Sequence, residues 1–287
     1  GSITKIFTAL VTIELVKQGK INLNDQIEKY LPEIQISQKN CPKITIQHLL
    51  THTSALPRMP DNFNPKNNIN PYIDYSPKKL YEFLNKFTPT RKPGEKVEYS
   101  NLGFGLLGHI LSRIENKNYD KLIKNKLCAN LAMKKTMQHL SPAMNKQLAS
   151  GYCDMNKVSN WDFDVFASAG ALKSNVIDMT NFLAANMGIM DNILYDSIKK
   201  MQVKKRLILN DGQRAFFQCF GWIKIETDSS NIFWHNGATG GYRSFIGFNK
   251  EKKIGIIILS NSTANFPDEL GLYILDPINF KSQSKKG

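Results

Sequence analysis

The densest hydrophobic pattern lies at the start of the chain, where Ile3, Ile6, Phe7, Leu10, Val11, Ile13, Leu15 and Val16 cover nearly the whole circumference of a helix over residues 3–18. A surface helix shows one apolar stripe, and apolarity all round marks a helix surrounded by protein. Lys17 and Gly19 supply a C-terminal cation and a C′ glycine that stop it. This element is expected at the centre of the fold.

The pattern stays helical over most of the chain. Gln26 to Leu31 reads as a short helix ended by Pro32, with Asn24 or Asp25 as its cap. Thr45 caps a second short helix that closes into a loop at Ala55 to Pro57. Residues 58–75 are rich in Asn, Pro and Asp and have no period, so they form a long surface loop or lid. Ser76-Pro77 starts a helix through Phe87, residues 88–96 turn, and a glycine-rich helix follows from about Leu102 to Ile114. Residues 117–150 alternate short Lys-rich helices with turns. The small residues between Phe166 and Leu172 allow close backbone approach and are expected to line a cleft. Ser174 then caps a helix carrying Val176, Met179, Phe182, Leu183 and Met187, and another covers 193–203.

Beyond residue 215 the pattern changes to strands: Phe216 to Ile225, Ile232 to His235, Tyr242 to Phe248 and Ile254 to Ser260, the last two joined by a charged hairpin at Lys250 to Lys253. Leu270 to Leu275 reads as a short closing helix. The fold class is α+β, an antiparallel sheet packed with helices plus a mostly helical lobe. One domain is expected over 1–287, with a helical lobe at about 40–210 and a sheet lobe of 1–20 with 215–280. The helix over 3–18 is expected to pack on that sheet.

Composition excludes several function classes. With 41% hydrophobic and 10% aromatic residues, the chain can bury a large core. The longest apolar run, Ile254 to Leu259, has strand length and falls short of the ~18 residues of a membrane span. A formal charge of +14 invites a nucleic-acid reading, but 32 of the 38 basic residues are Lys, only 6 are Arg, and no basic and aromatic stripe is interleaved. The 28 asparagines point to a Lys and Asn bias that gives a solvated basic surface, with attraction to anionic cell-envelope polymers as a secondary reading. Cys41, Cys128, Cys153 and Cys219 form no C-x-x-C pair, so no zinc or redox motif follows, and spacing leaves their pairing open. His48 and His52 have the spacing of a helical zinc pair without the HExxH glutamate, and read as core or loop histidines. Gly103 to Gly108 matches G-x-G-x-x-G, yet no Val/Ile-rich strand precedes it. Those glycines are read as sites of close helix packing.

Chemistry enters with Ser2-Ile3-Thr4-Lys5. In a helix from Ser2 onward, both side chains share one face, about 5 to 6 Å apart at Cβ. A serine hydroxyl is a poor nucleophile until a base takes its proton, and a lysine whose pKa is lowered by burial can do so. The same string also reads as an N-cap serine with a solvated lysine, or as a Gly-Ser cloning scar. The apolar helix behind it favours the chemical reading. A lysine at the start of a buried helix needs partners, a shifted pKa, or both.

Two further boxes, Tyr99-Ser100-Asn101 and His235-Asn236-Gly237, follow in order. Together the three resemble the class C β-lactamase, low-molecular-weight penicillin-binding protein and family VIII esterase group, with its S-x-x-K, Y-x-N and H-x-G or K-T-G boxes. Leu49 to Pro57 resembles that group's LLTHTSGLP, with Ala55 where Gly is usual. Pro93-Gly94 to Gly108, Ala169 to Met179 and His235 to Tyr242 resemble further blocks. The resemblance implies a β-lactamase/transpeptidase-like fold and a serine hydrolase acting through an acyl-enzyme on D-alanyl peptides, β-lactams or esters. Ser2 would attack, Lys5 and Tyr99 would share proton transfer, and Asn101 would bind the substrate amide or hold Lys5. The N–H groups of Ser2 and Ala238 would form an oxyanion hole beside His235 and Gly237. It implies no metal and no cofactor. The partner would be a small-molecule or peptidoglycan-peptide substrate, with no nucleic acid, and oligomeric state stays open. His235 replaces the Lys usual in antibiotic-hydrolysing members, which suits peptidases or esterases. Members carry several dozen residues before the serine, forming two strands, so this chain is expected to be N-terminally truncated from a periplasmic or cell-envelope parent. Structural alternatives are a satisfied core Tyr99, a packed His235 and Asn101 as a helix N-cap. The alternative function is a non-catalytic or truncated relative that binds cell-wall peptide or assembles with partners.

Overall fold

The computed structural model describes residues 1–34, 36, 43–264 and 267–280. Cys41 lies outside the described residues. Cys128, Cys153 and Cys219 are free thiols. The apolar opening folds as α1 (Thr4–Lys17), buried without interruption from Thr4 to Leu15 and ended by Gly19 at φ +70°. A 3₁₀ turn at Ile27–Lys29 replaces the expected short helix. Then come α2 (Ile46–Leu50), capped by Thr45 as expected, α3 (Pro77–Lys86), α4 (Asn101–Glu115) and α5 (Tyr119–Ile123), which runs into a π-helical turn at Lys124–Cys128. After α6 (Pro142–Asn145), a hairpin of β1 (Gly151–Cys153) and β2 (Asn156–Val158) precedes α7 (Ala167–Gly170), α8 (Val176–Met187) and α9 (Tyr195–Met201). Asn175 caps α8, one residue after the expected Ser174, and its side chain accepts from the Asp178 N–H.

The sheet is a six-stranded antiparallel meander of β3 (Arg206–Asn210), β4 (Ala215–Gln218), β5 (Ile223–Thr227), β6 (Ser230–Ala238), β7 (Arg243–Asn249) and β8 (Ile254–Ser260), each paired with the next, followed by α10 (Pro267–Leu275). The single strand expected over Phe216 to Ile225 is two strands, because the chain reverses through Cys219 to Trp222 with Gly221 at φ +76°. Period-2 alternation gives the sheet two apolar faces. Phe233, Ile246 and Phe248 join the core that contains α1, whereas Ile225, Ile232 and Phe245 pack with Leu275 of α10.

α1 sits in the shared core, but the expectation that it packs on the sheet is corrected, because helices and not strands are its main neighbours. These are α9, α7, α4 and α5, while α8 and α10 are the helices that contact β7 and β8. Phe7 links the two helical layers by stacking on Phe182 at 4.1 Å between centroids. α1 meets the sheet at the turn before β5, where a Cβ on Gly221 would lie 2.9 Å from the Ala9 Cβ and 3.0 Å from the Ile6 Cα. Only a glycine combines that close approach with a left-handed backbone.

The glycines of α4 serve packing, as their sequence context implied. A Cβ on Gly105 would meet the Val165 carbonyl at 3.1 Å, and one on Gly108 would overlap the Ser168 Oγ at 2.1 Å. α7 therefore lies directly on α4, fixed by Ser168 Oγ donating to the Phe104 carbonyl at 2.7 Å. Gly108→Ala should cost about 1 to 3 kcal/mol by overpacking. Thermal or denaturant unfolding reads this directly, and a parent-like midpoint would contradict it.

Candidate active site

Ser2 and Lys5 are joined by a helical turn that begins at the first residue, with Thr4 N–H donating to Gly1 O at 3.0 Å and Lys5 N–H to Ser2 O at 2.9 Å. The Lys5 side chain is fully buried. Its Nζ lies 3.1 Å from Ser2 Oγ, 2.9 Å from Asn101 Oδ1 and 2.7 Å from the Ala169 carbonyl. The amide and carbonyl oxygens only accept, so they take two N–H bonds from Nζ. A neutral amine then has its lone pair left for the Ser2 hydroxyl proton. Burial, and next the positive charge of Arg58, hold the Lys5 pKa well below the ordinary lysine value.

The close packing of α4 and α7 delivers two of these groups, Asn101 from one helix and Ala169 from the other. Ser100 caps α4, its Oγ accepting from the Gly103 N–H at 2.8 Å and donating to the Pro57 carbonyl at 2.7 Å. Asn101, for which an N-cap role was an alternative, is thereby the first helical residue. Its oxygen points to Lys5, and its Nδ2 lies 3.8 Å from the Met59 sulfur.

Burial pushes the Tyr99 phenol up to about 12, against the opposing effects of the nearby Ser2 hydroxyl and of Arg58. Its ring centroid is 4.8 Å from Lys5 Nζ and 4.5 Å from the ring of His52. His52 is buried in a left-handed conformation, φ +55°. Its Nδ1 accepts from the Ser100 N–H at 3.0 Å, which assigns the ring proton to Nε2. Its carbonyl accepts from Glu98 N–H at 2.7 Å. The histidine read as a core or loop residue thus braces the Tyr99 segment from both sides. Its position in the Leu49 to Pro57 block was the signal available in the sequence. Ala55, at φ +63°, occupies a backbone conformation natural to glycine, which accounts for the glycine usual there in the resembling group.

The sheet contributes the other wall. Pairing of β5 with β6 stops at Ile223 opposite Trp234, while β6 continues to Ala238 paired with β7 alone. The free side of residues 235–238 faces the start of the chain. A Cβ on Gly237 would stand 2.9 Å from the Ser2 nitrogen, and one on Gly1 2.6 Å from the Ala238 nitrogen. Gly1 and Ser2 thus pack directly against Gly237 and Ala238, and no side chain fits at 237.

His235 is buried beside them, 6.4 Å from Tyr99 between ring centroids. Its Nδ1 is 2.6 Å from the Asn236 carbonyl, which can only accept, so Nδ1 carries the proton. Burial first, and the Lys5 charge second, lower its pKa to about 4 from an ordinary 6.5. The folded value lies below the unfolded one, so the unfolded chain binds this proton first as pH falls. Stability should be fully present above pH 6.5 and decline down to pH 4, by about 3 kcal/mol for this residue. Denaturant unfolding of the parent and His235→Asn across that window should show a shallower acid loss in the variant. Equal slopes would contradict a neutral buried His235.

Small residues do line an opening beside the site. A cavity of about 530 Å³ lies next to Gly1, bounded by Trp161, Gly170, Ala171, Leu172 and Thr239, although Ser2 itself does not line it. The loop over 58–75 is pinned there. Asn70 Nδ2 donates to the Asp162 carboxylate at 2.9 Å, and Asp162 N–H donates back to Asn70 Oδ1 at 2.7 Å. Tyr72 packs on Trp161 and Phe163 at 5.2 and 5.0 Å. Among the described residues, no helix is long and apolar enough to cross a membrane, and no cluster of three or more metal-ligating side chains occurs.

The family model described as Beta-lactamase matches residues 1–276. Protein flp of Staphylococcus aureus (strain NCTC 8325 / PS 47) is 28% identical over 280 residues, covering 94% of this chain and 54% of that protein. The chain therefore spans about half the length of this curated relative. A protein named Beta-lactamase from Escherichia coli (strain K12) is 25% identical over 301 residues, covering 93% of this chain and 75% of that one. Among solved structures, an octameric penicillin-binding protein homologue from Pyrococcus abyssi superposes with a TM-score of 0.79 at 28% identity, over 96% of this chain and 64% of that chain.

Proposed function

Because the chain belongs to the beta-lactamase family, we propose that it is a serine hydrolase acting through an acyl-enzyme on D-alanyl peptides, β-lactams or esters. The observation that carries this reading is the bonding of Lys5, whose buried amine has two pure acceptors and one hydroxyl around it. Ser2 Oγ attacks the substrate carbonyl while its proton passes to the Lys5 lone pair. The negative charge that develops on the carbonyl oxygen is received by the Ser2 and Ala238 N–H groups, a reading supported by the close packing of Gly1 and Ser2 against Gly237 and Ala238. Tyr99, protonated near neutral pH because its pKa stands at about 12, hands a proton to the leaving group and recovers one from Lys5. Water then attacks the ester by the reverse route and releases Ser2. Asn101 keeps Lys5 in place, and neutral His235 supports the strand that carries Gly237 and Ala238. A D-alanyl peptide substrate would put the activity at the cell envelope.

Intact-mass measurement after treatment with a fluorophosphonate or a fluorescent penicillin tests the reading. One adduct per chain, lost in Ser2→Ala, is the expected result. A folded parent that gives no adduct with either reagent would overturn it.

A further inference from the structure

We infer that Arg58 is a substrate-binding residue that receives a carboxylate on the acyl compound, so that the site takes carboxylated substrates in preference to neutral esters. This rests on the proposed hydrolase reading and narrows its substrate class. The residue belongs to none of the three boxes, but its backbone is built into the site. The Arg58 carbonyl accepts from the N–H groups of Asn101 and Leu102 at 3.1 and 3.3 Å, which ties it to the first turn of α4. Its side chain is exposed, and the guanidinium carbon lies 5.0 Å from the centroid of Tyr99. Arg58 is therefore one aromatic ring away from the Ser2 hydroxyl. Its positive charge acts on Lys5, His52, Tyr72 and Tyr99, groups from four separate stretches of chain around the site.

The charge pattern gives the ligand its sign. Among the described residues, Arg58 has no ion-pair partner. Arg243, opposite Ala238 across the β6 and β7 pair, has the Asp268 carboxylate nearby to offset its charge. The other nitrogen bases at the site, Lys5, His52 and His235, are buried and disfavour a proton. Arg58 is thus an exposed cation against the Tyr99 ring with no anion paired to it among the described residues. A guanidinium stacked on an aromatic face still presents its N–H fork edgewise, the geometry that binds a carboxylate by two parallel bonds. A peptide C terminus and the carboxylate of a β-lactam both supply that group.

Equilibrium binding separates this inference from catalysis, since it needs no bond to break. Titration of the whole chain with N-acetyl-D-alanine and with its neutral N-methylamide should show the acid bound about 10- to 100-fold more tightly. Arg58→Ala should remove the preference, Arg58→Lys should keep part of it, and added salt should shrink it in the parent. Arg58→Gln serves the same purpose if the alanine variant is poorly folded. Labelling rates with benzylpenicillin and with its methyl ester then distinguish the two carriers of the carboxylate. Equal affinity of the parent for acid and amide, or an undiminished preference in folded Arg58→Ala and Arg58→Gln, would overturn the assignment. Preference for the acid without any covalent adduct would uphold it and instead sink the hydrolase reading.

Discussion

Lys5→Arg is expected to lose acylation of Ser2 by about 10²- to 10⁴-fold, as far as Lys5→Ala does, although it keeps a cation at the position. The difference lies in the protonation state that the site uses. The Ala169 carbonyl and Asn101 Oδ1 consume two N–H bonds of Lys5, and a third proton on Nζ would face the hydroxyl that must be activated. Burial, then Arg58, favour the neutral amine. Arginine stays protonated at any accessible pH and offers no lone pair, so it fills the position without its chemistry. The check is the rate of labelling by an activated ester across pH in the parent and both variants, with unfolding curves as the control for folding. Parent-like labelling by Lys5→Arg would show that the position supplies a charge and not a base.

Tyr99→Phe should slow the same reaction by about 10²- to 10⁴-fold, with a different signature. The variant keeps the ring that stacks on His52 and loses only the hydroxyl beside Ser2. With a phenol pKa at about 12, Tyr99 does not change state near neutral pH, so its loss should lower the plateau of the pH profile and leave the rising limb in place. The rising limb belongs to Lys5. A Tyr99→Phe profile whose limb moves while its plateau stays would exchange the two roles.

The sequence carried different parts of this site with different clarity. All-round apolarity made α1 readable as a buried helix, and a lysine at its start had to be partnered. The identity of its partners was not readable, because Asn101 and Ala169 are 96 and 164 residues away and one of them contributes only a backbone carbonyl. His52 looked like a loop histidine because its function lies in a left-handed backbone and an accepting ring nitrogen, neither of which leaves a periodic trace. Arg58 is a single exposed arginine after Pro57, and nothing local distinguishes it from a solvated one. In the sheet, β6, β7 and β8 showed as apolar runs bounded by turn residues. β4 and β5 merged into one run because the residues between them, Cys219, Phe220 and Trp222, are themselves apolar and fully buried. β3 escaped because it is an exposed edge strand next to a basic run, and β1 and β2 because three residues show no alternation.

The meander order has a consequence for the timing of folding. Every strand of the six-stranded sheet pairs with its neighbour in sequence, so its ladders close short loops and carry little entropic cost. The Ser2 site has the opposite character, since it unites the start of the chain with α4, α7 and the end of β6 across most of its length. Hairpins between residues 206 and 260 are therefore expected to form well before Lys5 meets Asn101 and Ala169. In refolding from denaturant, the sheet signal should recover ahead of Ser2 labelling, which makes the acylating group a clock for the last step of assembly.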